Sequence, residues 1–73
     1  MSEVDDPVVG KLGRVTHPIR PDRTGEVVVR IRGGTETYMA VSDTELARNA
    51  EVLVIAHISA RTVQVTPFTS GSS

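Results

Sequence analysis

Apolar and polar residues alternate along short stretches of this chain, and glycines and prolines separate the stretches. In the clearest of them, residues 26–32, the side chains of Val27, Val29 and Ile31 fall on one face, and all three charged side chains fall on the other. A period of two is typical of a β-strand that buries one face. Because the stretches end after a few residues at glycine or proline, the pattern predicts a small all-β domain.

The same pattern predicts five strands. They cover residues 10–17, 26–32, 35–41, 50–58 and 61–66. Gly33-Gly34 predicts a tight hairpin between the second and third strands, which are then an antiparallel pair. On the third strand we expect Met39 and Val41 to face the interior and Tyr38 to lie on the other side.

A short helical turn is predicted between the third and fourth strands. Ser42 is a suitable N-cap, and Glu45, three residues later, completes a capping box. Leu46 and Ala47 supply a small apolar face for this turn. Asn49 suits the left-handed conformation that ends such a turn.

Five strands with one helical turn between the third and fourth have the order of a five-stranded OB-fold-like barrel, which is the predicted fold. An SH3-like barrel is the alternative. A closed barrel leaves no exposed sheet edge, which favours it for so short a chain. The predicted interior consists of Leu12, Val15, Val27, Val29, Ile31, Met39, Val41, Leu46, Val52, Val54, Ile58, Val63 and Val65.

Composition limits the domain organisation and the partners. A chain of 73 residues forms one core, and its formal charge of -1 provides no general attraction for polyanions. It has no cysteine and no apolar stretch near the roughly 20 residues that span a bilayer, so we expect it to be soluble. The polar ends predict disordered tails at 1–8 and 69–73 around a barrel at 9–68.

Residues that could carry chemistry are few and scattered. His17 and His57 are forty positions apart and have no clustered carboxylate, which falls short of the three protein ligands of a catalytic zinc site. Ser42-Asp43 is better explained as a helix cap than as a nucleophile beside an acid, because a triad also needs a positioned base. We therefore expect no catalytic residue, no metal site and no cofactor.

Short motifs follow one another in order through most of the chain. They are Gly10 and Gly13, Ile19-Arg20-Pro21, Gly25-Glu26-Val27, Gly33-Gly34, Tyr38-Met39-Ala40, Val52-Leu53-Val54 and Val63-Gln64-Val65-Thr66-Pro67. Each motif alone is common in β domains. Their order and spacing from Gly10 to Pro67 resemble the C-terminal soluble domain of the NfeD-like membrane protein family.

The resemblance implies a non-enzymatic interaction domain. In that family the OB-fold domain follows transmembrane helices, and the proteins are associated with stomatin- and flotillin-type membrane scaffolds. For this chain the resemblance therefore implies a membrane-anchored parent, with the domain on the cytoplasmic side, and a scaffold protein of that type as its partner.

The second and third strands supply the candidate interaction surface, which comprises Arg30, Arg32 and Tyr38. Two interpretations of Tyr38 are open: an exposed ring beside Val28 that can anchor a partner protein, or a ring that covers the outside or the mouth of the barrel. Single-stranded nucleic acid, bound on the same face, is the alternative, since OB-fold barrels bind it there. Against it, Tyr38 and Phe68 are the only aromatic rings available for stacking on bases.

Overall fold

The computed structural model describes residues 8–69. Its five strands are β1 (Leu12–His17), β2 (Gly25–Ile31), β3 (Gly34–Val41), β4 (Glu51–Ser59) and β5 (Thr62–Pro67). The all-β prediction is confirmed, and each predicted strand is present within one or two residues of its expected bounds. Apart from Val8 and Thr69, the predicted terminal tails lie outside the described residues.

The strands form one closed barrel in the order β1-β2-β3-β5-β4. Neighbouring strands are antiparallel except β3 and β5, which pair in parallel. The barrel closes where β1 meets β4, with Leu12 opposite Leu53 and Gly13 opposite Val52. This is the arrangement of an OB-fold-like barrel, so the predicted fold is confirmed in preference to the SH3-like alternative.

The β2–β3 hairpin turns at Arg32-Gly33, one residue earlier than predicted. Ile31 pairs with Gly34, and only the two residues between them form the loop. Gly33 has a φ of 87°, a left-handed conformation that glycine adopts without a Cβ clash. The predicted antiparallel pairing of β2 with β3 is confirmed.

The segment between β3 and β4 contains no helix within residues 8–69, so the predicted helical turn is wrong. The N–H and C=O of Leu46 instead pair with those of Ile19, at 2.8 and 2.9 Å. The first turn of a helix fixes the backbone of several residues and gains only one hydrogen bond, so its formation is unfavourable. The two hydrogen bonds between Leu46 and Ile19 in the β1–β2 loop are formed in its place. The hydroxyl of Ser42 accepts a bond from the Thr44 N–H at 3.0 Å, which closes a local turn.

Asn49 has the left-handed conformation that the sequence predicts, with a φ of 76°. Its N–H donates to the Val15 carbonyl at 2.8 Å, and the Val15 N–H donates to the Ala50 carbonyl at 2.9 Å. Asn49 therefore directs the chain from the loop into β4, beside β1.

The core is aliphatic, as predicted, but some of the residues that form it differ from the predicted ones. Leu12, Met39 and Ile58 were expected inside and are 43%, 50% and 55% exposed. Ile31 and Val41 are half-buried. Sequence reasoning missed three buried residues, Val8, Ile19 and Ala40. The full buried set is Val8, Val15, Ile19, Val27, Val29, Ala40, Leu46, Val52, Val54, Val63 and Val65.

The predicted orientation of β3 is reversed. Tyr38 lies opposite Val27 and Ala40 lies opposite Gly25, and residues directly opposite one another share a face of the sheet. Because Val27 faces the core, Tyr38 and Ala40 face it too, and Met39 faces outward.

Ile58 faces outward because β4 carries two irregularities in its pairing with β5. One lies between Val54 and Ala56 and the other between His57 and Ser59, so Ile55 and Ile58 have no direct partner on β5. A bulge adds one residue to one strand and bends it. Ile58 is exposed as a result, and Ile55, which follows the inward-facing Val54, is exposed by simple alternation.

Candidate interaction surface

The three residues of the predicted interaction surface occupy different parts of the β2–β3 hairpin. Arg30 lies opposite Thr35 on the outer face, and Arg32 lies in the turn. Tyr38 lies opposite Val27 on the inner face and is half-buried, so its predicted place beside Val28 is wrong. Arg30 and Arg32 are neighbours because they are two residues apart in the sequence. Neither lies on the inner face, which carries Tyr38.

Tyr38 lies in a small cluster that sequence reasoning missed. Its ring meets the His57 ring edge to face, with the centroids 6.0 Å apart and an interplanar angle of 84°. The Arg61 guanidinium carbon lies 5.9 Å from the Tyr38 ring centroid, within the range of a cation–π contact. Arg61 Nη1 also lies 3.9 Å from Glu36 Oε1.

The backbone explains why this cluster forms. The Met39 N–H donates to the Arg61 carbonyl at 2.8 Å, which places the β4–β5 turn beside β3. Opposite His57 on β5 is Val63, a core residue, so His57 lies on the same side of the sheet as Tyr38. The cluster therefore presents a half-buried ring flanked by a histidine and an arginine.

A groove runs over the outer face of the barrel where β1 adjoins β2. Its volume is about 540 Å³. The residues that line it are Gly10, Lys11, Leu12, Gly13, Arg14, Val28, Arg30, Thr35 and Glu51. Of the predicted surface residues, only Arg30 lines it.

The groove is basic. Lys11, Arg14 and Arg30 are exposed, and none of them forms an ion pair within residues 8–69. Glu51, opposite Arg14 across the β1–β4 pair, is the acidic member of the lining. All eight basic residues lie within 8–69, whereas three of the nine acidic residues precede Val8. The described barrel is thus locally more basic than the net charge of the whole chain implies.

Gly13 allows the two strands that form the groove to approach closely. A Cβ atom at this position would lie 2.8 Å from the Val28 carbonyl oxygen and 3.3 Å from Val29 Cγ2. The first distance is shorter than any ordinary carbon–oxygen contact, and backbone cannot move aside easily. A residue without a Cβ atom is therefore needed here for β1 to lie this close to β2 beneath the groove.

A second polar cluster joins the end of β1 to the start of β2. The Thr16 hydroxyl donates to Glu26 Oε1 at 2.8 Å, and His17 Nδ1 lies 2.7 Å from the same oxygen. The Thr16 hydroxyl bond, followed by the bond to His17, holds the pKa of the Glu26 carboxyl below its ordinary value. The Arg48 Nε–H donates to the Thr16 carbonyl at 3.3 Å.

His17 and His57 occupy separate clusters. His17 bonds to Glu26 at the end of β1, and His57 packs on Tyr38 from β4. Among residues 8–69, no group of three or more histidine, cysteine or acidic side chains is placed to hold a metal ion. No helix in this part of the chain is long and apolar enough to cross a membrane.

Strand order and barrel closure define the class of this protein as a small OB-fold-like barrel, here with a basic groove on its outer face. The family model of the NfeD C-terminal domain matches residues 12–66, a range that contains all five strands except Pro67, the last residue of β5. The chain belongs to that family.

A solved structure agrees with this assignment. The solution structure of the soluble domain of the NfeD protein YuaF from Bacillus subtilis is similar to this chain with a TM-score of 0.70. The two are 37% identical, and the match covers 80% of this chain and 70% of that one. No curated protein matches the chain. The family resemblance found in the sequence is thereby confirmed.

Proposed function

We propose that this chain is a non-catalytic protein-interaction domain of a membrane-anchored parent, and that its partner is a stomatin- or flotillin-type scaffold protein. The domain lies on the cytoplasmic side in this proposal. The chain belongs to the NfeD C-terminal domain family. The resemblance to this family implies association with such scaffolds, and this supports a role as an interaction domain.

The observation that carries the proposal is the exposed β2–β3 hairpin. Arg30 and Arg32 are exposed on it, and Tyr38, beside Arg61, is half-buried. Tyrosine and arginine are among the residues that most often dominate the binding energy of protein interfaces. The hairpin is therefore suited to contact another protein.

The position of Tyr38 weighs against single-stranded nucleic acid as the partner. OB-fold barrels bind it by stacking bases on aromatic rings that lie along the binding face. Here Tyr38 is on the inner face of the hairpin, opposite Val27, and the arginines are on the outer face and in the turn. The arginines thus have no ring beside them on which a base could stack.

The proposal is tested by using the tagged domain to capture proteins from solubilised membranes of the source organism. We expect mass spectrometry to find a stomatin- or flotillin-type protein enriched over a bait-free control. Arg32→Gln and Tyr38→Ala should each reduce its recovery. Arg23→Gln, which removes an exposed arginine from the β1–β2 loop, is the matched control and should leave recovery unchanged.

Tyr38→Phe separates binding from folding, because it keeps the half-buried ring. Melting temperatures of all variants are measured alongside the capture. The proposal is overturned if no such scaffold protein is enriched. If Arg32→Gln and Tyr38→Ala recover it as well as the unsubstituted domain does, the proposed contribution of Arg32 and Tyr38 to the surface is wrong.

A further inference from the structure

The groove on the outer face of β1 and β2 has a charge pattern that selects a kind of partner. We propose that it binds an extended acidic segment of a partner protein, whose carboxylates at alternate positions contact Arg14 and Arg30. This inference rests on the proposed function as an interaction domain and specifies the chemistry of the bound segment.

The strand register sets the spacing of the two arginines. Arg14 lies opposite Val28, and Arg30 is two residues further along β2, so Arg14 and Arg30 are diagonal neighbours on one face. Diagonal neighbours in an antiparallel pair are about 7–8 Å apart. Along an extended peptide, side chains on one face repeat about every 7 Å. The spacing of side chains at positions i and i+2 of such a peptide therefore matches the spacing of the two arginine positions on the sheet.

Apolar side chains occupy the positions between the arginines. Leu12, on the same outer face, lines the groove beside Arg30, and Val28 lies opposite Arg14. Leu12 is 43% exposed although it is a large aliphatic residue. The two methylene groups of a bound glutamate would cover this apolar surface while its carboxylate reaches an arginine. Glutamate, with its longer stem, therefore suits the groove better than aspartate.

Both arginines are available for such a contact. Within residues 8–69 neither forms an ion pair, unlike Arg20, which lies 3.6 Å from Glu45. Guanidinium groups bind carboxylates through charge-assisted hydrogen bonds, often two at once. Lys11, which also lines the groove, adds to the positive potential. Attraction between exposed charges weakens with salt, so the binding should weaken as ionic strength rises.

Glu51 and the absence of a stacking surface favour a peptide over a nucleic acid. Glu51 lies opposite Arg14 on β4, where it repels a continuous row of phosphates. Neither aromatic ring of the chain is among the residues that line the groove. A peptide with two spaced carboxylates can place an uncharged residue beside Glu51, whereas a phosphate backbone carries a charge at every unit.

The test uses two fluorescent, end-capped heptapeptides of the same composition. One has the sequence Thr-Thr-Glu-Thr-Glu-Thr-Thr, and its isomer Thr-Thr-Glu-Glu-Thr-Thr-Thr has adjacent glutamates, which point to opposite sides of an extended chain. Binding to the full 73-residue chain is measured by fluorescence anisotropy at low salt. We expect the first peptide to bind more tightly than its isomer.

Three variants locate the contact. Arg14→Gln and Arg30→Gln should each weaken binding of the first peptide about tenfold, as expected for the loss of one charge-assisted contact. Arg23→Gln removes the same charge outside the groove and should leave binding unchanged. Glu51→Gln should strengthen binding, because it removes the negative charge beside Arg14.

Several results would overturn the proposal. Equal binding of the two isomers would show that the i, i+2 spacing of the carboxylates does not matter. A loss of binding in Arg23→Gln as large as in Arg14→Gln and Arg30→Gln would show that the peptide does not bind in the groove. Binding of a single-stranded oligonucleotide but not of the peptide, with the same dependence on Arg14 and Arg30, would assign the groove to nucleic acid. Self-association that is lost in the same variants, without peptide binding, would assign it to a second copy.

Failure here can be told apart from failure of the proposed function. If the domain captures a scaffold protein from membranes while neither peptide binds, only the groove proposal fails. If the first peptide binds as expected but no scaffold protein is captured, the groove proposal stands and the identity of the partner is wrong.

Discussion

Successive residues of the β2–β3 hairpin point alternately to its inner and outer faces, and the two faces differ in burial. On the inner face Val27, Val29 and Ala40 are fully buried. On the outer face Val28 is half-buried, and Arg30 and Thr35 are exposed. The inner face determines whether the barrel forms, whereas substitutions on the outer face change the surface and leave the core intact. Recognition can therefore vary in this fold at little cost in stability.

The largest expected effect is that of Gly25→Ala at the start of β2. A Cβ atom at Gly25 would lie 2.5 Å from the His17 carbonyl oxygen and 2.5 Å from Ile19 Cγ1, both shorter than van der Waals contact. We expect a loss of about 3 kcal/mol in the free energy of unfolding, as for severe overpacking. Urea denaturation measures it.

Gly33→Ala is the control for Gly25→Ala at the other end of β2. An added Cβ at Gly33 meets nothing within 4 Å, but the φ of 87° is unfavourable for alanine. The expected loss is about 1 kcal/mol, the cost of a left-handed non-glycine residue. Equal losses at the two glycines would contradict the steric role assigned to Gly25.

Val27→Ala and Val28→Ala test the two faces at adjacent positions. Val27 is fully buried, so removing its two methyl groups should cost about 2 kcal/mol through lost burial and an unfilled cavity. Val28 is half-buried on the outer face, and its truncation should cost about 0.5 kcal/mol. Both values come from urea denaturation. Similar losses would mean that the outer face also stabilises the fold by packing.

The smallest expected effect concerns Glu26, which lies on the outer face of β2 opposite Met39. Its pKa is lowered in the folded state, first by the Thr16 hydroxyl bond and then by His17. A lowered folded-state pKa stabilises the protein above the ordinary carboxyl pKa. That stabilisation is lost as the pH falls through the lowered value.

Unfolding measured between neutral and acidic pH checks this expectation. The free energy of unfolding should decrease on the acid side, and Glu26→Gln should reduce that decrease. Thr16→Val, which keeps the side-chain shape and removes the hydroxyl, should bring the Glu26 pKa back toward its ordinary value in an NMR titration. An unchanged pKa in that variant would contradict the role assigned to Thr16.

The alternation of Val27, Val29 and Ile31 predicted β2 from the sequence, and the glycine pair predicted the hairpin. These succeeded because periodicity and left-handed backbone are local properties. Asn49 was predicted to be left-handed for the same reason, although the helical turn before it is absent. The pairing of Ile19 with Leu46 replaced that turn, and a contact between distant loops leaves no local signal in either segment.

The inner face of β3 is predictable from the geometry of the hairpin. With a two-residue hairpin turn, either at 32–33 or at 33–34, the partners of Val27 and Val29 are even-numbered residues of β3. Tyr38 and Ala40 therefore had to share the inner face. Met39 and Val41 misled the prediction because they are more apolar than their neighbours. Pairing geometry, rather than hydrophobicity, decides the face when a strand is mixed in this way.

The candidate groove was beyond prediction because it combines β1, β2, β3 and β4. The sequence pattern places Arg30 on β2 but does not fix which basic residues of other segments accompany it, and in the structure these are Lys11 and Arg14. Their proximity depends on the β1–β2 register, which includes an irregularity between Val15 and His17. The Tyr38 cluster was missed for the same reason, since His57 and Arg61 reach it through the β4–β5 turn.

The position of β5 between β3 and β4 has a consequence for how the domain is made. A nascent chain that ends before Thr62 has no strand to join β3 to β4, so both keep an open edge. The barrel can close only after residues 62–67 have left the ribosome. Folding then requires contacts between distant parts of the chain, such as Leu12 with Leu53, which makes it slow compared with helical domains of similar size. Until then, the open edges of β3 and β4 can pair with strands of other chains.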